Sequence, residues 1–324
     1  MAGERTGNPL IPGRGVTDPH VRIFGDRAYM YATHDRSPDN DRFTMDDWWV
    51  WSSPDLVRWR HECTLRPEDT HVGAGFTGCW ATDAAERNGR YYWYVSEGPQ
   101  TGVVVAETPV GPWTDVLGRP LIPTGVVPVK AYDPGILTDD DGEAYIVVGV
   151  WDFYLARLGE DMISLAETPR KLTVHNPEGP YGRGKTDDKA YLHKRDGLYY
   201  LSWGCYYAVA ENVYGPYACR GSILAEENVD PELRYRDSGC PLEAWRRFEA
   251  PDAPKSLYDE RVITFDRHGS FFAWHGQWYF ICNDMSRSRN PFYRDTAIAT
   301  VSYRPNGDIE PVRLETAGVR AVER

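Results

Sequence analysis

The sequence is short of the features that mark several function classes. It has no run of 18 apolar residues, so no helical membrane span is expected. Basic residues are the minority, 36 Lys and Arg against 48 Asp and Glu, and the net charge of −12 argues against nucleic acid or an anionic membrane as partner. The six cysteines, at 63, 79, 205, 219, 240 and 282, form no C-x-x-C pair, which weakens zinc and thioredoxin-type readings. They read as small buried hydrophobes. H-E-x-x-H and the EF-hand loop are missing. TDDDGE at 138–143 lacks the ligand spacing and terminal Glu of a calcium loop and reads as a turn. The opening MAGERTGNPLIPGRG lacks the apolar stretch of a secretory signal. A cytoplasmic protein with reduced thiols is therefore expected, unless a leader has been trimmed. Helical periodicity is nearly missing as well.

Aromatic residues, by contrast, are plentiful, with 12 Trp, 21 Tyr and 10 Phe in 324 residues. Disordered chains lack such residues. The aromatics fall in a recurring pattern: FGDRAYMYAT at 24–33, NGRYYWYVS at 88–96, DGEAYIVVG at 141–149, DGLYYLSWG at 196–204 and HGQWYFICN at 275–283. Each is a tight turn leading into a β-rich strand, which is a hairpin signal. Five such units of about 50–80 residues predict an all-β fold, a five-bladed β-propeller that absorbs residues 1–324 as a single domain. A polar insertion at about 225–262, with ten acids against six bases, separates units four and five. A short helix is expected within it, at 241–250.

A propeller blade runs its innermost strand along the central axis, so residues just ahead of each turn line one mouth of the channel. Six to nine residues before the turn glycines stand Asp18, Asp83, Asp133, Asp188 and, in the fifth unit, His268. One Asp before a strand is an ordinary turn former, and Asp139, Asp140 and Asp141 read that way. A position shared by four units is different. Converging carboxylates repel, and burial raises their pKa values. Such a cluster suits a reaction that needs one carboxyl protonated and another ionised, and glycoside hydrolysis is that reaction. Trp80, Tyr132, Trp151 and Trp203 are adjacent in sequence and could stack on sugar rings.

NPLIPGRGVTDPHV, CWATDAAERNGRYYWYVS, YDPGILTDDDGEAYIVVG and RHGSFFAWHGQWYFICND, in that order, resemble glycoside hydrolase family 43 over about residues 8–305. The resemblance implies a five-bladed propeller that hydrolyses arabinose-, xylose- or galactose-containing glycans with inversion. It implies Asp18 as general base, Asp133 as the acid that tunes and orients the proton donor, and Arg294 as a sugar-binding residue. His268 matches a channel histidine that often contacts a calcium ion or water cluster. Calcium in the central channel is implied on that ground alone.

The sequence departs from the family at the donor. A Glu is usual there, in a Glu-Gly-Pro-like motif, and here the slot nine residues before Gly197 holds Asp188. Asp188 is the first candidate. Asp187 and Glu178 follow, and Glu97 (in SEGPQ) or a residue of the 225–262 insertion stands behind them. The expected partner is a carbohydrate, and the expected function an exo-acting glycosidase on a terminal α-L-arabinofuranose, β-D-galactofuranose or β-D-xylose unit. Two alternatives accompany it. One is a non-catalytic carbohydrate-binding propeller. The other is a glycoside phosphorylase, whose phosphate would need basic clusters such as HKR at 193–195 or SRSR at 286–289.

Overall fold

All five turn glycines sit at hairpin tips in the computed structural model, which describes residues 7–179, 182–225, 267–285, 287–288 and 290–323. Gly25, Gly89, Gly142, Gly197 and Gly276 have φ of 62°, 77°, 83°, 80° and 79°. Glycine is required there by the backbone, since nothing lies within 4 Å of where a Cβ would stand. Asn88, Asp196 and His275, each just before a turn glycine, are also left-handed, at 55°, 49° and 48°. Two successive positive φ values are the type I′ geometry that matches strand twist. The expected insertion, from residue 226 on, and its helix at 241–250 lie outside the described residues.

The hairpins assemble into blades of antiparallel strands. Blade I holds β1 (Val16–Phe24), β2 (Arg27–Asp35), β3 (Met45–Ser53) and β4 (Arg60–Leu65). Blade II holds β5 (Cys79–Arg87), β6 (Arg90–Glu97) and β7 (Gln100–Ala106). Blade III holds β8 (Gly135–Thr138), β9 (Ala144–Val148), β10 (Tyr154–Arg157) and β11 (Arg170–Lys171). Next come β12 (Val174–His175) and a small hairpin of β13 (Glu178–Gly179) and β14 (Gly182–Arg183). Blade IV holds β15 (Tyr191–Arg195), β16 (Leu198–Trp203), β17 (Tyr206–Ala210) and β18 (Tyr217–Ser222), with β12 parallel to β18 at its edge. Blade V holds β19 (Gly269–Trp274), β20 (Gln277–Asp284) and β21 (Asp295–Val301).

Contacts between the first strands run β1 to β5, β5 to β8, β8 to β15, β15 to β19 and back to β1, which closes a five-membered ring around an axis. Residues 8–10 fasten the ring from outside. The Leu10 amide donates to Thr296 O (2.8 Å), and Asn8 exchanges side-chain hydrogen bonds with both backbone groups of Ile298. An outer edge of blade V is thereby covered, which removes an open strand edge. Aromatics fill the wedges between blades. Tyr31, Trp93 and Trp113 of blades I and II pack with ring centroids 5.3–6.2 Å apart, all tilted or edge-on. Rings of this size dominate core burial and prefer such geometries. Most of the aromatic surplus is therefore blade packing.

Candidate active site

Asp18, Asp133, Asp188, His268 and Arg294 come together in one pocket of about 190 Å³, whose walls also include Phe43, Met45, Trp80, Ala81, Lys130 and Tyr132. Asp18 belongs to β1, where the pairing slips between Thr17 and His20 and φ at Asp18 is 50°. Asp133 precedes β8 with φ 58°. A left-handed Asp ahead of proline is a strained arrangement, and strain of this kind concentrates at functional sites. Both bends turn a carboxyl toward the axis.

Asp18 is held from several sides. Its Oδ1 lies 2.5 Å from His268 Nε2, 2.9 Å from Asn283 Nδ2 and 3.1 Å from Arg294 Nη1. Its Oδ2 receives a longer contact of 3.4 Å from Arg294 Nη2. Its amide donates to Asn283 Oδ1 at 2.7 Å, so one asparagine fixes both ends of the residue. Burial alone would raise the Asp18 pKa, but the Arg294 charge, His268 and Asn283 outweigh it and hold the carboxyl well below its usual range. Arg294 is in turn fixed by Asp35, through Nε at 3.1 Å and Nη2 at 3.0 Å, and lies 4.9 Å from the Phe43 ring centroid.

Asp133 behaves in the opposite way. Burial pushes it up, the negative charge of Asp188 adds to that, and Lys189 only partly opposes them, leaving it at about 8. Ser96 Oγ accepts the Asp133 amide at 2.8 Å and donates to Ala81 O at 2.7 Å, pinning the backbone there. Asp188 is one-third exposed to the pocket, and its Oδ1 stands 3.4 Å from His268 Nδ1. The His268 imidazole thus lies between Asp18 and Asp188, each carboxylate facing one ring nitrogen. The site therefore offers an ionised carboxylate and a buried carboxyl that keeps its proton near neutrality. These are the unequal groups that acid–base chemistry at one bond requires.

Other predicted residues are placed differently. Asp83 lies six residues before its turn glycine, deeper along the axis than Asp133 or Asp188. It is fully buried, binds Arg22 through both carboxylate oxygens (3.0 and 2.5 Å) and accepts the Ile136 amide, so it braces the channel and is not part of the pocket wall. Trp203 is 0% exposed, packs against Phe153 and donates to Glu178 O, so it belongs to the core. Trp80 and Tyr132 do form a corner of the pocket, their rings edge-on at 5.4 Å. Trp151, 46% exposed, lines a separate neighbouring groove of about 590 Å³ with Phe153, Lys171, Val174, Pro177 and Thr186. Its amide donates to Asp187 O and its carbonyl accepts from Thr186 Oγ1, which ties that groove to the segment carrying Asp188.

Among the donor alternatives, neither Asp187 nor Glu178 lines the pocket that holds Asp18, Asp133 and Asp188. Glu97 ends β6 and faces His71 at 3.2 Å. The HKR cluster is also committed elsewhere. His193 stacks on Tyr200 and Phe271, Lys194 pairs with Asp139 and Asp140, and Arg195 with Asp196. SRSR falls partly outside the described residues. Asn283, Asp35, Ser96 and Lys189 were not anticipated. The first three act through partners far away in sequence, whereas Lys189 stands beside Asp188 and its charge was a readable signal.

Calcium binds six to eight oxygens at 2.3–2.6 Å. Among the described residues, no group of three or more His, Cys, Asp or Glu side chains is disposed to hold a metal. His268, the residue the resemblance places beside calcium, has Nε2 on Asp18 and Nδ1 facing Asp188. The ammonium of Lys189 is buried in the same channel. This donor set does not fit calcium.

The profile of "Glycosyl hydrolases family 43" matches residues 6–309. A beta-D-galactofuranosidase of Aspergillus niger is 29% identical over 97% of this chain and 87% of its own length. Xylosidase/arabinosidase 43A of Humicola insolens is 29% identical over 93% of this chain and 98% of its own. The structure of a GH43 beta-xylosidase/alpha-arabinofuranosidase from a compost metagenome, calcium-free and with xylotriose, superposes with TM-score 0.73 at 23% identity, covering 95% and 97% of the two chains. The xylose complex of a GH43_1 enzyme from Xanthomonas citri gives TM-score 0.73 at 23% identity, covering 99% and 97%.

Proposed function

The chain belongs to glycosyl hydrolase family 43 and hydrolyses O-glycosidic bonds, and from that premise we propose that it is an inverting, exo-acting enzyme that removes one terminal sugar. The observation that carries this reading is the line Asp18–His268–Asp188 inside a pocket of about 190 Å³. A pocket this compact suits one sugar ring better than a bound chain. Asp18 and Asp188 stand an imidazole plus two contacts apart. Such spacing accords with the wide separation, about 6.5–9.5 Å, of inverting pairs.

In the reaction, Asp18 takes a proton from water as the water oxygen attacks the anomeric carbon. The bond from that carbon to the leaving oxygen breaks, and the leaving oxygen takes its proton from Asp188. That proton is the single one the Asp133–Asp188 pair retains, since burial and the like charge of the two acids keep them from both ionising; it sits on Asp188 when the bond breaks and leaves the pair doubly ionised until water resupplies it. Arg294 holds Asp18 and Asp35 with most of its N–H donors, and the edge of its guanidinium that lines the pocket is the contact for a sugar hydroxyl. Trp80 and Tyr132 supply apolar ring contact. The leaving portion of the glycan extends past Asp188 toward Trp151, whose groove is tied to Thr186 and Asp187.

The sugar is α-L-arabinofuranose in the first instance, with β-D-galactofuranose and β-D-xylose next; the names of the two curated relatives support this set. The test is hydrolysis of nitrophenyl arabinofuranoside, galactofuranoside and xyloside, with Asp18→Asn as control. Turnover of one of them that is lost in the variant is expected. Sugar binding without turnover across a broad panel would contradict the proposal.

A further inference from the structure

One cation in the channel has no place in the chemistry above. Lys189 is 1% exposed, whereas the other described lysines are exposed or half-buried. Its Nζ reaches across from blade IV to blade II and donates to Thr82 O at 3.1 Å. Its φ is 57°, against 50° at Asp18 and 58° at Asp133. The same left-handed step two residues ahead of His20, Gly135 and Tyr191 thus presents a carboxylate in blades I and III and an ammonium in blade IV.

The surroundings need that charge. Asp83 has Arg22, and Asp18 shares Arg294 with Asp35. Among the described residues no arginine pairs with Asp133 or Asp188, and Lys189, ahead of His268, is the larger of the two positive charges that oppose the rise at Asp133. Lys189 in turn is attracted by Asp133, Asp83, Asp18 and Asp188, against a burial cost that lowers its pKa. His20, at the same depth, is kept well below its usual value by burial and then by Lys189, Arg22 and His268. A neutral imidazole there adds no positive charge. Burying an ammonium costs several kcal/mol unless the charge is used.

We propose that Lys189 is the resident cation of this channel, a tethered charge that holds the carboxylate ring together and positions the Asp133–Asp188 pair in the role a bound calcium would otherwise fill. Lys189 is a positioning residue; it acts through the two acids. The proposal rests on the hydrolytic reading only for its kinetic readout, since its metal and stability readouts need no turnover.

The experiment uses the full chain. Metal content is measured after purification, and melting temperature and rate are followed across EDTA and calcium chloride titrations. The unsubstituted protein is expected to carry no stoichiometric calcium and to show neither a melting shift nor more than about a 1.5-fold rate change with either reagent. Lys189→Met removes the charge at similar length, and Lys189→Arg keeps it. The groups that face the ammonium are Asp18, His20 and Arg22 of β1, Asp83 of β5, and Asp133, Asp188 and His268. Losing a cation among them favours the protonated acids, so the basic limb of the pH–rate profile should move upward by about one pH unit in Lys189→Met, with kcat at least tenfold lower. Lys189→Arg should keep the limb within about 0.3 unit. A purely packing role would move the melting temperature and leave the limb in place, which overturns the proposal. Stoichiometric calcium in the unsubstituted protein, with chelation lowering its melting temperature, overturns it even if the variants do not fold.

Discussion

The molecule contains two lines of carboxyl, imidazole and carboxyl, and they do opposite things. At the axis, His268 stands 2.5 Å from Asp18 and 3.4 Å from Asp188. On blade II, His71 stands 2.9 Å from Asp115 and 3.2 Å from Glu97. The residue types match, and the difference lies in the cations. The axial line is met by Arg294 and Lys189, with Asn283 fixing Asp18 at both ends. Its Asp18 end is held ionised. The blade II line meets no arginine or lysine among the described residues. Burial, and then the Asp115 charge, push Glu97 up to about 8, while amide hydrogen bonds help keep Asp115 low. A histidine between two acids is therefore not a catalytic device by itself. What sets the axial line apart is fixed positive charge at one end and a pocket beside it, and the proposed catalytic role rests on those two features.

The largest effect that separates the two lines is expected from their matching aspartates. Asp18→Asn should lower kcat by about 10³–10⁴-fold, near the upper range for a positioned acid or base, while Asp115→Asn leaves kcat within about twofold. Equal losses would erase the distinction. Next in size is Asp188→Ala, expected to cost about 10²–10³-fold on an oligosaccharide. On a dinitrophenyl glycoside, whose leaving group needs no proton, the loss should shrink to about tenfold or less. Uniform loss on both substrates would remove Asp188 from the donor role.

Third, Arg294→Met leaves Asp18 and Asp35 as buried carboxylates without their shared partner. Breaking a buried pair of this kind costs about 3–5 kcal/mol, which urea unfolding at pH 7 would show. The smallest effect belongs to the quiet line. A carboxyl whose folded pKa is raised loses stabilisation as pH rises from its unfolded value, about 4.3, through its folded one. Glu97→Gln mimics the protonated form. Its stability relative to the parent should therefore rise between about pH 4.5 and the folded value near 8, and level off above that. A difference that is flat across that window would show Glu97 to be ionised in the fold.

The sequence made the five hairpins legible because a left-handed turn leaves little choice but glycine, and because tyrosine- and tryptophan-rich strands follow each turn. The pocket acids were legible for a related reason, since distance from the turn measures depth along the axis. That ruler failed at Asp83, six residues from its glycine, where the same residue type sits lower and braces Arg22. It is uneven at Asp18, seven residues from its glycine, where the β1 slip changes the count and the carboxyl still reaches the mouth. Trp203 looked like a sugar platform by adjacency, but it lies inside the blade. Asn283 and Asp35 could not be read at all, because their partners Asp18 and Arg294 lie 265 and 259 residues away along the chain.

The central claim is that Asp18 activates water on the face opposite the oxygen that Asp188 protonates. Proton NMR of the reaction mixture during the first minutes of turnover tests it directly by reading the anomeric signal of the released sugar before mutarotation. The account predicts that the first product has the anomeric configuration opposite to that of the substrate, with no signal from Asp18→Asn. A first product with the substrate's own configuration would mean a covalent intermediate and a closer pair of carboxyl groups, and would contradict it.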